Sequence, residues 1–160
     1  MKKINQIAAS VLLSLFIPFA LASTESDVNF LLNAKNPPPG VVFEIVEGKR
    51  TDLQWAIPAT QTYIRKLRAK NPAMKFAIVS HGSEQFGLLT SEQSKQVATH
   101  KKVRSLVQND DVPLHVCGTH ASWYDKNEKD FPEYVDVVPA GPAKIRDYQR
   151  KGYALIVINQ

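Results

Sequence analysis

Five short, mostly apolar runs, separated by longer stretches most of which carry helical periodicity, constrain this chain more than any other feature of its sequence. The runs are Val41 to Val46, Met74 to Ser80, Pro113 to Cys117, Val135 to Val138 and Tyr153 to Ile158. Such runs read as strands. The second (MKFAIVS) is nearly all apolar, as in a strand buried on both faces of a parallel sheet. Between the first two, Leu53, Ala56, Ile57, Thr60, Ile64 and Leu67 fall on one helical face. Thr51 with Gln54 fits a capping box, Asn71-Pro72 ends the helix, and Pro58 predicts a kink or a restart within it. Thr90 with Gln93 fits a second capping box, opening a helix to about Gln108 with Val97, Val103, Leu106 and Val107 inward. His100 in that helix is expected at the surface or half buried. Gly118 to Lys126 has room for a helical turn. Gly141-Pro142 opens a further helix with proline where it is tolerated, and Lys151-Gly152 closes it. Alternating strand and helix predict an α/β fold: three layers, α/β/α, around a mainly parallel five-stranded sheet.

The ends bound the domain. Lys2 and Lys3, an apolar run from Ile7 to Ala20, and Ala20-Leu21-Ala22 follow the basic, apolar, small order of a cleavable secretory signal. The apolar run is shorter than the ~20 residues a span needs. The expected organisation is a signal over 1–22, a polar, proline-rich arm over 23–39 with a short helix near Asp27 to Lys35, and one α/β domain over 40–160. The expected location is the periplasm, with no membrane span after signal removal. The formal charge of +5 is mild, and the basic clusters at 65–70 and 101–104 lie on helices without interleaved aromatics, so no nucleic-acid partner is expected. No dinucleotide fingerprint, Walker A loop, G-x-S-x-G elbow or C-x-x-C pair is present, and no cofactor is expected.

Parallel sheets of this kind place their chemistry beyond the carboxyl ends of the strands. There stand Ser80-His81-Gly82-Ser83, Cys117-Gly118-Thr119-His120 and Pro139-Ala140-Gly141. Cys117 is the single cysteine. At a strand end before a helical turn it reads as a thiolate nucleophile stabilised by unpaired amides, with His120 three residues on, or equally as a buried structural cysteine. His81 reads as an acid, a base or a ligand, or as a loop cap. His115 alternates with Cys117 along its strand, shares its face, and reads as a packed core histidine. The C-x-x-H spacing of Cys117 and His120, with His81 as a third ligand, is a weak zinc pattern.

VVFEIVE with its long helix, KFAIVSHG, DDVPLHVCGTHA and VDVVPAGPAKIRDYQRKGYALIVI together resemble the DsrE/DsrF-like family of small sulfur-metabolism proteins, over Val41 to Ile158. The resemblance implies a three-layer α/β/α fold and assembly into homo-oligomers. It also implies a role for Cys117 as the cysteine that some members load with persulfide sulfur and relay to donor or acceptor proteins. Trp123 to Tyr134 departs from the pattern, being long and charged. An export signal would separate this chain from the cytoplasmic relay partners of its relatives. The sequence therefore leads to an exported protein handling sulfur through Cys117, with His120 and His81 beside it. The alternatives are a non-catalytic ligand- or partner-binding module and a Cys/His metal-binding protein.

Overall fold

The computed structural model describes residues 23–159, so the expected signal at 1–22 lies outside the described residues. In chain order the elements are α1 (Thr24–Leu32), β1 (Gly40–Ile45), α2 (Leu53–Lys70), β2 (Lys75–Ser80), α3 (Val97–Asn109), β3 (Leu114–Cys117), α4 (Gly118–Ser122), β4 (Asp136–Val138), α5 (Gly141–Arg150) and β5 (Ala154–Ile158). Short 3-10 turns lie at Ser83–Leu88, Thr90–Glu92 and Glu128–Asp130. The five strands form one sheet in the order β4-β3-β2-β1-β5, and every pairing is parallel. The three-layer α/β fold expected from the alternation is the fold observed.

The topology decides how the layers fill. From β1 to β4 the chain steps across the sheet in one direction, and right-handed crossovers then put every connecting helix on the same face. Reaching β5 from β4 reverses the direction, so α5 must cross on the opposite face. The two faces are consequently unequal. One buries Val41, Phe43, Ile45, Phe76, Ile78, Leu114, Val116, Ile156 and Ile158 beneath α2 and α3, within a single large core. The other has a small apolar cluster in which Val42, Ala77 and Val79 of the sheet meet Ile145 of α5.

Strand positions are close to those expected, because β-branched runs with polar ends specify them locally. The helix starts differ. Thr51 caps nothing; α2 begins at Leu53 behind Asp52, whose side chain bonds back to the Lys49 amide at 2.9 Å. Its buried residues are the six expected from the periodicity. Pro58 neither restarts nor ends the helix, which runs unbroken to Lys70 and forgoes only the bond to the Gln54 carbonyl that a proline cannot make. Thr90 and Gln93 do not open a long helix. Thr90–Glu92 is a 3-10 turn without a side-chain cap, and α3 starts only at Val97. Val97 is 62% exposed rather than inward, while Val103 and Leu106 are buried as expected.

His100 also differs: it is 2% exposed. Its Nε2 lies 3.1 Å from the Gly87 carbonyl and its Nδ1 2.6 Å from the Tyr134 hydroxyl. A carbonyl only accepts, so Nε2 carries the hydrogen and Nδ1 accepts from Tyr134. Both partners come from loops distant in sequence. The expected arm over 23–39 is built into the body: Val28 and Leu31 are buried, and Thr24 Oγ1 donates to the Val157 carbonyl at 2.8 Å. Among the described residues no helix is long and apolar enough to cross a membrane.

Candidate functional site

The face under α5 carries the candidate residues. Paired residues in register point to the same side of a sheet. Val157, Glu44, Val79, His115 and Asp136 therefore form one row across the strands. The next step toward the carboxyl edge holds Cys117 opposite Val138. His81 and Cys117 each directly follow one of the paired residues Ser80 and Val116, which brings them to the same edge. His115 and Cys117 share this face, as the alternation along β3 predicts.

Cys117 ends β3 and N-caps α4. Its Sγ accepts from the His120 amide at 3.4 Å, and the residue is 6% exposed. Its backbone is held from both sides by one side chain: Cys117 N–H donates to Gln85 Oε1 at 2.8 Å, and Gln85 Nε2 donates to the Cys117 carbonyl at 3.4 Å. Gln85 is fully buried. Its amide replaces the missing continuation of a neighbouring strand and fixes the peptide that carries the thiol. The Glu84 carboxylate, equally buried, accepts from the Glu47 amide (2.6 Å), the Ser80 hydroxyl (2.7 Å) and the Gly82 amide (3.0 Å). It thereby ties the loop after β1 to the loop after β2. Gly82 has no room for a side chain, since a Cβ there would stand 2.3 Å from Glu84 Oε2.

The two candidate histidines have distinct settings. His81 Nε2 lies 2.7 Å from Glu44 Oε1, so Nε2 is the protonated nitrogen and Nδ1 the one left to act as an acceptor. Its ring is pressed against Gly141, where an added Cβ would approach His81 Cβ to 2.7 Å. His120 Nδ1 donates to the His81 carbonyl at 2.9 Å, and its ring stands among Phe86, Trp123 and Tyr124 at centroid distances of 5.2, 5.4 and 5.5 Å. Cys117, His81 and His120 all line one cleft of about 630 Å³, together with Val46, Glu47 and Trp123. A second cleft of about 710 Å³ beside α3 contains none of the three. Burial, Asp52 and Glu84 raise the Glu47 carboxyl above its ordinary range.

Behind the cleft, His115 is buried but not as a bare core residue. Nδ1 lies 2.6 Å from Asp136 Oδ2 and Nε2 2.8 Å from the Tyr148 hydroxyl. The carboxylate fixes the hydrogen on Nδ1, and Tyr148 donates to Nε2. Burial and Lys144 lower the His115 pKa against the opposing pull of Asp136, and burial pushes Tyr148 up to about 12. This chain anchors α5 to the sheet. Among the described residues no three His, Cys, Asp or Glu side chains are grouped as a metal site requires, and Glu44 and the His81 carbonyl already occupy one nitrogen of each cleft histidine.

Sequence reasoning placed Cys117, His81 and His120 together and missed Glu44, Glu84, Gln85 and Trp123. Glu44 had a signal: one carboxylate inside an otherwise apolar strand. Glu84 and Gln85 had none, because the bonds that tie each to another loop or strand reach Glu47 and Cys117, 37 and 32 residues away.

No family model matches the chain, and no curated protein matches it. Among solved structures, a protein of unknown function from Methanobacterium thermoautotrophicum is similar, at 24% identity and a TM-score of 0.56, over 74% of this chain and 98% of that one. At that identity the likeness establishes the fold alone: this chain shares an α/β architecture with a protein whose function is itself not known.

Proposed function

We propose that this chain is an exported protein of the DsrE/DsrF-like kind that carries sulfur on Cys117, working in the periplasm as a homo-oligomer that meets a sulfur donor or acceptor protein. The observation that carries this reading is the placement of the only thiol in the cleft that His81 and His120 also line. Sγ already accepts from a backbone amide, which favours charge developing on sulfur as it attacks. The step is an exchange without net redox change: Cys117–SH and R–S–SH give Cys117–S–SH and R–SH. The Cys117 thiolate attacks the outer sulfur, the S–S bond of the persulfide breaks, and the leaving thiolate R–S⁻ takes up the proton. His81 Nδ1 is the acceptor nitrogen available to receive the thiol proton. Incubation of the full chain with a persulfide donor should add the mass of one sulfur atom, and Cys117→Ser should abolish the addition. A wild-type chain that gains no sulfur while a small free thiol does so under the same conditions refutes the reading.

A second reading rests on the 6% exposure of Cys117 and its clamp by Gln85: a module that binds a small ligand in the cleft, with the cysteine as part of its floor. Titration with a chromogenic thiol reagent separates the two. A thiol that reacts only after denaturation supports the binding module; reaction in the native state supports sulfur carriage.

A further inference from the structure

The charges around the cleft select among sulfur donors. Among the described residues, the lining of the cleft contains no lysine or arginine; its one formally charged side chain is the carboxylate Glu47. Glu44 and Glu84 stand behind it, the first bonded to His81 and the second to Ser80 and to the amides of Glu47 and Gly82. Two amides beside the cysteine are already engaged: Thr119 N–H donates to the Pro139 carbonyl at 3.0 Å and His120 N–H to Cys117 Sγ. At the start of α5, Pro142 has no N–H to offer and the Lys144 amide is taken by the Ala140 carbonyl at 3.1 Å, which leaves the Gly141 and Ala143 amides there but no side-chain cation in the lining. The remaining walls are apolar, with Val46, Trp123, Ala140 and Pro142, and Trp123 is 73% exposed at the rim.

An oxoanion donor such as thiosulfate would bring two negative charges toward a thiolate in a cleft with no cation to offset them, and burying unpaired charge is costly. A persulfide with an apolar R group is attacked in its neutral R–S–SH form, so it meets neither obstacle in that form and gains contact with the walls. Resting on sulfur carriage by Cys117 as proposed above, we infer that the cleft takes its sulfur from uncharged, apolar-bodied persulfides and discriminates against oxoanionic sulfur donors. The exchange is the balanced one already written, with R apolar. With thiosulfate the corresponding leaving group would be sulfite, released against the same negative surroundings.

The test loads the full chain with benzyl hydropersulfide or with thiosulfate and follows the added sulfur by intact mass, each rate divided by that of a small free thiol with the same donor. The normalised preference for the benzyl persulfide should be about tenfold or more, the factor that corresponds to about 1.4 kcal/mol. Val46→Arg, which places a cation at the exposed rim, should narrow the preference by raising the thiosulfate rate. Equal or faster normalised loading from thiosulfate overturns the selectivity while leaving sulfur carriage intact. An unchanged preference in a folded Val46→Arg chain also overturns it. Loading from neither donor, with the free thiol reacting, removes sulfur carriage and the selectivity together.

Discussion

The two faces of the sheet use the same strands for different ends. Along β1, Val41, Phe43 and Ile45 go to one side and Val42 and Glu44 to the other; along β3, Leu114 and Val116 go to one side and His115 and Cys117 to the other. The first set is apolar without exception and lies beneath α2 and α3. The second set is interrupted by groups that titrate, and α5 alone covers it. The cause is the reversal of chain direction at β5, which sends only one crossover to that side. A helix-poor face is a poor place for a large core and a good place for polar side chains that need access. Stability and chemistry are thus divided by the period-two alternation of each strand.

The comparison can be broken most sharply by truncation. Phe43→Ala, in the large core, should cost about 3–5 kcal/mol in denaturant unfolding, whereas Leu155→Ala, half buried on the α5 face, should cost less than about 1.5 kcal/mol. Equal losses would mean that α5 covers a core as demanding as its counterpart. Next in size is Glu84→Ala, which leaves three donors without their acceptor. A loss of about 2–3 kcal/mol in the same measurement is expected, and it would show that the polar region holds itself together through its own bonds.

A smaller effect follows from the buried histidines, one for each side of the sheet. Burial holds both His100 and His115 below the ordinary value of 6.5. The unfolded chain therefore takes up these protons first. The stability that each neutral ring contributes is complete above 6.5 and is lost as pH falls below that value toward the folded pKa. The bond to the Gly87 carbonyl opposes the effect at His100 and Arg104 adds to it, while at His115 Lys144 adds to it and Asp136 opposes it. Denaturation midpoints between pH 5 and 7 should rise with pH, and His100→Gln or His115→Gln should each flatten the rise. A slope that only His100→Gln flattens would show that Asp136 keeps His115 solvated in effect, sharpening the contrast between the faces. The smallest expected change in stability is that of Trp123→Ala, within about 0.5 kcal/mol, because the ring is largely exposed. Loading of Cys117 from an apolar persulfide should nevertheless slow, as the rim loses its largest apolar wall.

What the sequence disclosed and what it hid follow the same division. The strands and the buried stripe of α2 were legible, since β-branched runs and a 3.6-residue period are local properties. The gathering of Cys117, His81 and His120 was legible too, because a parallel sheet aligns all its carboxyl ends. The start of α3 was not. Thr90 and Gln93 spell a capping box, yet the segment before Val97 is instead drawn into turns, where Gln96 donates to the Arg50 carbonyl at 2.8 Å. His100 reads as a surface residue until Tyr134 and Gly87 are brought against it. Glu84 and Gln85 look like ordinary loop residues, and only the assembled fold makes one a staple and the other a stand-in strand. In each case a long-range partner overrode a local signal.

One pairing has a consequence in time rather than in space. β5 lies beside β1 and supports α1 through Thr24, so the first and last elements of the described chain complete one another. The outer edge of β1 stays bare while nearly all the intervening residues are added, and contacts this distant along the chain are slow to form. The hairpin-free sheet can grow from β1 through β4, but α1 has no full seat and β1 no second neighbour until Ala154–Ile158 arrive. The native state is therefore sealed from its far end. A chain still being made remains open, unable to finish the sheet, until Ala154–Ile158 join it.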